Sequence, residues 1–183
     1  MTVLAIDTAT PYLVLGLPHA EGAWRLDRRH AEALFTHLEA FLQTHRVSLK
    51  AIRGIVVGQG PGSYTGVRIG VSAALGLGRA LGVPVVGVDT LAGIALRYRG
   101  TVTPALSARS GRVYTATYRV PASQTPSAPH LEVVHPPHKT RLEALPFLEG
   151  CVVVDEPPSG RALAVWGRAQ LQAGRRGVSV HYL

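Results

Sequence analysis

The sequence is poor in cysteine and in charged residues, and both shortages narrow the classes of protein that it can encode. The single cysteine, Cys151, excludes a disulfide framework and a zinc or iron–sulfur site built from several cysteines. Because Cys151 begins an apolar segment, we expect an inert buried thiol. Charged residues make up 16% of the 183 residues, whereas an average soluble domain has about 25%. With 46% hydrophobic residues, the composition argues against disorder and predicts a surface that a partner partly covers.

The sequence predicts neither a leader peptide nor a membrane span. The opening residues, MTVLAIDT, have no basic region and include Asp7. The longest apolar stretch with a helical pattern, residues 69–78, lies between Arg68 and Arg79. It is far shorter than the roughly 20 residues that cross a bilayer. We therefore expect a cytoplasmic protein without membrane contact.

Acidic residues are outnumbered by basic ones, which gives a formal net charge of +8 at pH 7. Most basic residues are arginine, and they are spread along the chain without a basic tail or run. A spread charge of this kind favours general attraction to polyanions over a dedicated nucleic-acid arm. Direct contact with RNA remains one hypothesis among several.

Apolar periodicity in the first hundred residues predicts a mixed sheet flanked by helices, in the order β-β-β-α-β-α-β-α. The third helix starts near Asp89, a residue type that commonly caps a helix N-terminus. The predicted strands are 2–7, 12–17, 22–29, 54–58 and 85–88, and the other two helices are 31–45 and 64–81.

The pattern changes after about residue 100, which divides the chain into lobes 1–100 and 101–183. The second lobe is predicted to be small and rich in β-structure. Residues 121–138 contain five prolines and resemble a loop or linker with one strand at 131–134. The remaining predicted elements are a hairpin of 102–107 and 112–119, a strand at 151–155 and a short helix at 166–173.

The densest motif is GQGPGSYTGVRIG, residues 58–70, where a strand, a glycine-rich turn and a helix N-terminus follow one another. A helix N-terminus attracts anions through its unpaired N–H groups and its dipole. The motif lacks the Gly-Lys-Ser/Thr of a P-loop and the third glycine of the dinucleotide fingerprint. Simple turn formation is therefore the alternative explanation, both here and at the first hairpin turn. The candidate nucleotide or phosphate loop comprises Asp7, Thr8, Thr10, Gly60, Gly62 and Ser63.

Small residues recur every four positions along the helix that follows this motif, at Gly66, Gly70, Ala74 and Gly78. Each glycine in a helix costs about 1 kcal/mol relative to alanine, so a close approach by another element must compensate. The neighbour is either the chain's own sheet or a helix of another chain, and the spacing alone does not decide between them.

A catalytic or metal-binding set is not predicted. No two of the eight histidines are four positions apart in the chain, which excludes a helical His-x-x-x-His metal site. His30, His37 and His45 lie roughly on one stripe of the first helix and are interpreted as surface or interface histidines. Ser63 lacks the glycine-flanked nucleophile elbow of a hydrolase.

Residues 58–70 match in full the pattern Gly-x-Gly-Pro-Gly-Ser-Phe/Tyr-Thr-Gly-Val/Leu-Arg-Ile/Val-Gly of the TsaB (YeaZ) family, which the chain therefore resembles. This family belongs to the bacterial machinery that makes threonylcarbamoyladenosine in tRNA. The resemblance covers roughly residues 1–118 and implies an α/β, actin/Hsp70-like (ASKHA, RNase H-like) fold of two tandem lobes, the second reduced. Further similar segments are LAIDTAT (4–10), His30 with the helix after it, VPVVGVDTLAGIA (83–95) and ARSGRVYTATY (108–118).

The resemblance implies a non-catalytic scaffold or dimerisation subunit that supports a TsaD-type threonylcarbamoyltransferase. Chains of this family dock on the TsaD-like paralogue through their first two helices, and the same surface can form homodimers. The resemblance also implies that a TsaE-like ATPase joins the complex and that the chain meets tRNA through the complex. No intrinsic cofactor is implied, while ATP or ADP at the complex interface is left open. The candidate interface residues are Ala31, Leu34, Leu38, Gly66, Gly70 and Ala74.

The chain departs from the family pattern in its second lobe. Ser107 stands where the family usually has aspartate, Arg112 where an acidic residue is common, and the lobe is shorter after residue 120. These departures put contacts of that lobe with TsaE or tRNA in doubt. The alternative function is an actin-like nucleotide-binding phosphotransferase or ATPase that uses Asp7 and the glycine loop. A glycoprotease and an RNA-binding module are weaker alternatives.

Overall fold

The computed structural model describes residues 1–122 and 130–180 and contains two sheets. The first sheet has five strands in the order β3-β2-β1-β4-β5. Strands β1, β4 and β5 run parallel to one another, and β2 and β3 extend the sheet as an antiparallel meander. Its strands are β1 (Val3–Asp7), β2 (Tyr12–Leu17), β3 (Ala20–Arg25), β4 (Gly54–Gly58) and β5 (Val85–Val88).

The second sheet has four strands in the order β8-β7-β6-β9. Strand β7 pairs antiparallel with both β6 and β8, whereas β9 runs parallel to β6 at the other edge. Its strands are β6 (Gly100–Ala108), β7 (Arg112–Val120), β8 (Glu132–Arg141) and β9 (Cys151–Val154). Together the sheets confirm the predicted two-lobed α/β architecture.

Helices cover both faces of the first sheet because its central strands are apolar on both sides. Side chains of β1 alternate, so that Leu4 and Ile6 face the layer of α1 and α2, while Val3 and Ala5 face α4. The helices are α1 (His30–Thr44), α2 (Tyr64–Leu81), α3 (Thr90–Ala95) and α4 (Gly160–Gln172), with short 3₁₀ helices at Leu49–Ala51 and Leu142–Phe147. None of the helices in the described ranges is long and apolar enough to cross a membrane.

Two helices pack on the sheet of the other predicted lobe, where the lobes are divided at residue 100. Helix α3 packs Leu91 and Ile94 against the second sheet, although its residues precede that boundary. Helix α4 packs Leu163 and Leu171 on the first sheet, although its residues follow the boundary. The division of the chain at residue 100 therefore does not coincide with the division between the packed layers. The reason is that α4, from the second half of the chain, covers the apolar face of β1 and β4.

The second half also contains longer elements than predicted. Strand β8 runs through Pro136 and Pro137, which an edge strand accommodates because it has an unpaired side. Residues 123–129 of the predicted loop lie outside the described residues. Helix α4 begins at Gly160, where the Ser159 hydroxyl accepts a 3.1 Å hydrogen bond from the N–H of Ala162. The sequence predicts a later start, at residue 166, because Gly160 closely follows two prolines and does not look like the first residue of a helix.

Candidate functional site: the helix pair and the interlobe cleft

The glycines of residues 58–70 let α2 lie directly on the turn between β1 and β2. A Cβ atom at Gly66 would overlap the Thr8 carbonyl oxygen, and one at Gly70 would overlap the Thr8 hydroxyl. That hydroxyl donates a 2.6 Å hydrogen bond to the carbonyl of Gly66. The small-residue face, including the buried Ala74, therefore packs on the chain's own sheet. This settles the choice of neighbour that the spacing leaves open.

The carboxylate of Asp7 organises the glycine turn from inside the protein. It is fully buried, and its Oδ1 accepts a 2.8 Å hydrogen bond from the N–H of Ala9. Its Oδ2 accepts a 2.8 Å bond from the Thr90 hydroxyl, while the Thr90 N–H donates to the carbonyl of Gly60. Burial raises the pKa of Asp7 to about 6, and the two hydrogen bonds only partly oppose that rise. Both carboxylate oxygens are thus used within the fold.

A cleft of about 840 Å³ opens between the lobes beside this turn. Of the six candidate loop residues, Thr10, Gly62 and Ser63 line it, whereas Asp7, Thr8 and Gly60 do not and are buried beneath it. The assignment of all six residues to a nucleotide or phosphate loop stays a prediction. At the cleft, the Ser63 hydroxyl caps α2 by accepting a 3.2 Å bond from the N–H of Gly66.

Charged side chains from both lobes line the cleft. The cations outnumber the carboxylates by four to two, and one carboxylate, Asp27, is already paired with Arg25 at 3.2 Å. The cleft is consequently electropositive, which suits an anionic ligand. The charged lining residues are Arg25, Asp27, Arg28, Arg109, Lys139 and Asp155.

Asp155 supplies a carboxylate beside the position where the family resemblance leads us to expect an aspartate. Its Oδ1 accepts a 2.7 Å hydrogen bond from the Ser107 N–H, and its Oδ2 accepts a 2.6 Å bond from the Ser107 hydroxyl. The two residues are 48 positions apart and meet because β9 pairs in parallel with β6. Nothing in the local sequence signals this contact, so sequence reasoning missed it.

An apolar groove of about 620 Å³ runs between α1 and α2 on the side away from the sheet. Phe35 and Tyr64 stand at its walls, 55% and 57% exposed. Arg68 is its one charged lining residue, and its guanidinium donates to the Tyr64 hydroxyl at 3.1 Å. A second groove, of about 450 Å³, continues along α1 and shares Phe35 and Leu77 with the first. Adjoining exposed apolar surface of this kind is typical of a protein interface.

Most of the candidate interface residues lie on the buried side of these helices. Leu34 and Leu38 are 1% and 3% exposed and belong to the core, although Leu34 reaches the floor of the groove. Gly66, Gly70 and Ala74 are also buried, and only Ala31 is exposed. Phe35 is 55% exposed on α1, although the sequence places it in one apolar stripe with its helical neighbours Ala31, Leu34, Leu38, Phe41 and Leu42. An apolar stripe shows which residues share one face of a helix but does not show how deeply each is buried, and Phe35 lies at the edge of that face.

Two further predictions about single residues are wrong. His30 is 3% exposed, and its Nε2 has no hydrogen-bond partner among the described residues, so it is not a surface histidine. Cys151 is exposed at the edge strand β9 instead of buried. Among residues 1–122 and 130–180, no three His, Cys, Asp or Glu side chains are grouped closely enough to hold a metal ion.

Residues 25–143 match a family model described as TsaD: tRNA N6-adenosine threonylcarbamoyltransferase. An uncharacterized protein of Mycobacterium tuberculosis is 35% identical over 182 residues, covering 90% of this chain and 84% of that protein. The tRNA threonylcarbamoyladenosine biosynthesis protein TsaB of Bacillus subtilis is 36% identical over 127 residues, covering 65% of this chain. That match spans only 56% of the Bacillus protein.

The fold has a close counterpart among solved structures. YeaZ from Pseudomonas aeruginosa superposes with a TM-score of 0.85 at 23% sequence identity, over 100% of this chain and 99% of that one. At this identity the likeness concerns the fold alone. It confirms that both lobes are arranged as in that protein.

Proposed function

This chain belongs to the TsaB (YeaZ) family, and we propose that it is a non-catalytic subunit in the formation of N6-threonylcarbamoyladenosine in tRNA. In this role it binds and supports a TsaD-type threonylcarbamoyltransferase. The observation that carries the proposal is the apolar groove between α1 and α2, with Phe35 and Tyr64 exposed at its walls. A TsaE-like ATPase and tRNA join through the complex.

The nature of the partner follows from the chain's own fold. Since residues 25–143 match a TsaD family model, the proposed partner has the same type of helix pair. Two such pairs can pack face to face in a pseudo-twofold arrangement, which buries both apolar grooves. The same argument applies to two copies of this chain, so a homodimer competes with the heterodimer.

The cleft residues support a role without catalysis. Both oxygens of Asp7 accept hydrogen bonds from the protein, and the side chain is fully buried, which leaves neither oxygen exposed to a ligand in the cleft. An actin-like phosphotransferase would need such a group at the first hairpin, so this alternative is not favoured. We propose no intrinsic cofactor and leave ATP or ADP at the subunit interface as a question for the reconstituted complex.

Light scattering on a size-exclusion column tests the proposal. The chain is analysed alone and mixed with the TsaD-type protein of the same organism, and we expect a stable heterodimer. Phe35→Asp places a charge in the groove and should abolish the complex. The matched control is Leu142→Asp, because Leu142 is similarly exposed, at 48%, but lies in the second lobe. A folded Phe35→Asp variant that still binds would contradict the proposed surface, and two unchanged peaks for the wild type would contradict the proposed function.

A further inference from the structure

The rim of the interlobe cleft carries more positive charge than the fold itself requires. We propose that this rim, formed by Arg28, Arg109, Arg112, Lys139 and Arg141, binds successive phosphate groups of an RNA strand. The inference rests on the proposed function in taking RNA as the source of the phosphates. The site would lie on the chain itself, beside the helix groove and separate from it.

The rim joins both lobes around one opening. Arg28 follows β3 in the first lobe, whereas Arg109 and Lys139 come from the second, and all three line the cleft. Among the described residues Arg28 and Arg109 make no ion pair. Of the two lining carboxylates, Asp27 pairs with Arg25 and Asp155 accepts two bonds from Ser107.

The charge continues out of the cleft along one face of β7 and β8. Tyr114 on β7 lies opposite Lys139 on β8. Two positions earlier, at the first residue of β7, Arg112 lies opposite Arg141. Residues two apart on a strand point to the same face, so Arg112 and Arg141 extend the lining that Tyr114 and Lys139 begin. Lys139 sits 4.9 Å from the ring centre of Tyr114, which orients its ammonium group at the mouth.

The opposed arginines are unfavourable in the isolated chain. Like charges directly opposite on neighbouring strands destabilise a sheet, and neither Arg112 nor Arg141 has an ion pair with a described residue. A bound phosphate would neutralise the pair by bridging the two guanidinium groups. A ligand that supplies negative charge between Arg112 and Arg141 therefore accounts for the unfavourable pairing of these two arginines.

The extent of the rim favours a polynucleotide over a small phosphate compound. A free nucleotide held by Arg28 and Arg109 would stay inside the cleft, whereas Arg112 and Arg141 lie beyond its lining. An RNA backbone has a phosphate at every nucleotide and can contact both places at once. Such contacts fix position without reading sequence, so affinity should depend strongly on salt and weakly on sequence.

Binding of a labelled, unmodified tRNA transcript to the full chain, followed by fluorescence anisotropy across a salt series, tests the proposal. Arg112→Gln with Arg141→Gln should weaken binding about tenfold and lower the log–log salt slope by about 1 to 2. The matched control is Arg79→Gln with Arg175→Gln, which removes the same charge from exposed arginines that do not line the cleft. Control affinity should stay within about twofold of wild type, as expected for residues that contact no phosphate.

A charge-conserving variant, thermal unfolding and light scattering separate a lost phosphate contact from a loss of folding or of partner binding. Arg112→Lys with Arg141→Lys keeps the charge and should largely keep binding. The glutamine pair should unfold at the same or a higher temperature than wild type and should still form the heterodimer in light scattering. Rim and control variants that bind tRNA equally would overturn the proposal, as would a rim that loses ATP binding but keeps tRNA binding. Absence of a heterodimer with the wild-type chain would instead refute the proposed function, whatever the tRNA result. A heterodimer lost only in the glutamine pair would place the rim in the partner interface and would overturn the proposal.

Discussion

The hydroxyl of Thr90 donates a 2.8 Å hydrogen bond to Oδ2 of the buried Asp7. This contact joins the end of β1 to the start of α3, two segments that are 83 positions apart. Because the N–H of Thr90 also holds the Gly60 carbonyl at 3.0 Å, one threonine fixes the first strand and the glycine turn together. The glycine turn that precedes α2 is thus anchored to the end of β1 and the start of α3.

Asp7→Asn should make the protein more stable at neutral pH. The pKa of Asp7 is about 6 in the folded chain and about 3.9 in an unfolded one. Between these values the folded state holds the extra proton, so the free energy of unfolding falls as pH rises from about 4 to about 6. Asparagine keeps an acceptor for Ala9 and cannot ionise. The variant should match wild type near pH 4 and exceed it at pH 8 by up to about 3 kcal/mol.

Urea unfolding of wild type and variant at a series of pH values measures this difference. Asp27→Asn is the control, because Asp27 is exposed and paired with Arg25. Its left-handed backbone, with φ of 53°, tolerates asparagine. The control should show no gain in stability at high pH. A difference between Asp7→Asn and wild type that does not change with pH would refute the buried, easily protonated carboxyl.

Alanine should have opposite effects at two glycines of α2. Open space surrounds Gly76, since outside its chain neighbours and the backbone of α2 no described residue comes within 4 Å of the point where a Cβ would lie. Gly76→Ala should therefore raise the free energy of unfolding by about 1 kcal/mol. Gly70→Ala places its methyl group against the Thr8 hydroxyl and should lower it by about 1 to 3 kcal/mol. Chemical denaturation of both variants checks the pair. Shifts of the same sign would contradict the packing of α2 on the β1–β2 turn.

Much of the first lobe could be predicted because its signals are local. Strand β4 and helix α2 have the predicted bounds, since β4 is apolar throughout and α2 has Ser63 as its cap and Gly82 after its end. Glycine at that last position has a φ of 65°, which ends a helix without strain. Local capping and periodicity are enough for elements of this kind.

The candidate sites could be predicted only in part because they depend on distant contacts. The meeting of Ser107 with Asp155 and the return of α4 to the first sheet leave no local pattern. The exposed position of Phe35 was also missed, because periodicity shows an apolar stripe without showing how far the neighbouring helix covers it. The charged rim needs the register of Arg112 with Arg141, which only the paired strands reveal.

Tyr118→Phe should weaken the attachment of the second sheet to the start of α3. The buried Tyr118 hydroxyl donates a 3.1 Å hydrogen bond to Oδ1 of Asp89, the atom that also caps α3 through the N–H of Ala92. Removing the hydroxyl leaves ring packing intact and should lower the free energy of unfolding by about 1.5 to 3 kcal/mol, the usual range for a hydrogen bond to a charged group. Urea denaturation measures the loss. Asp89→Ala and the double variant complete a double-mutant cycle. Because Tyr118 acts through Asp89, the double variant should lose less stability than the two single variants added together, and strict additivity would show that the hydroxyl does not act through the cap.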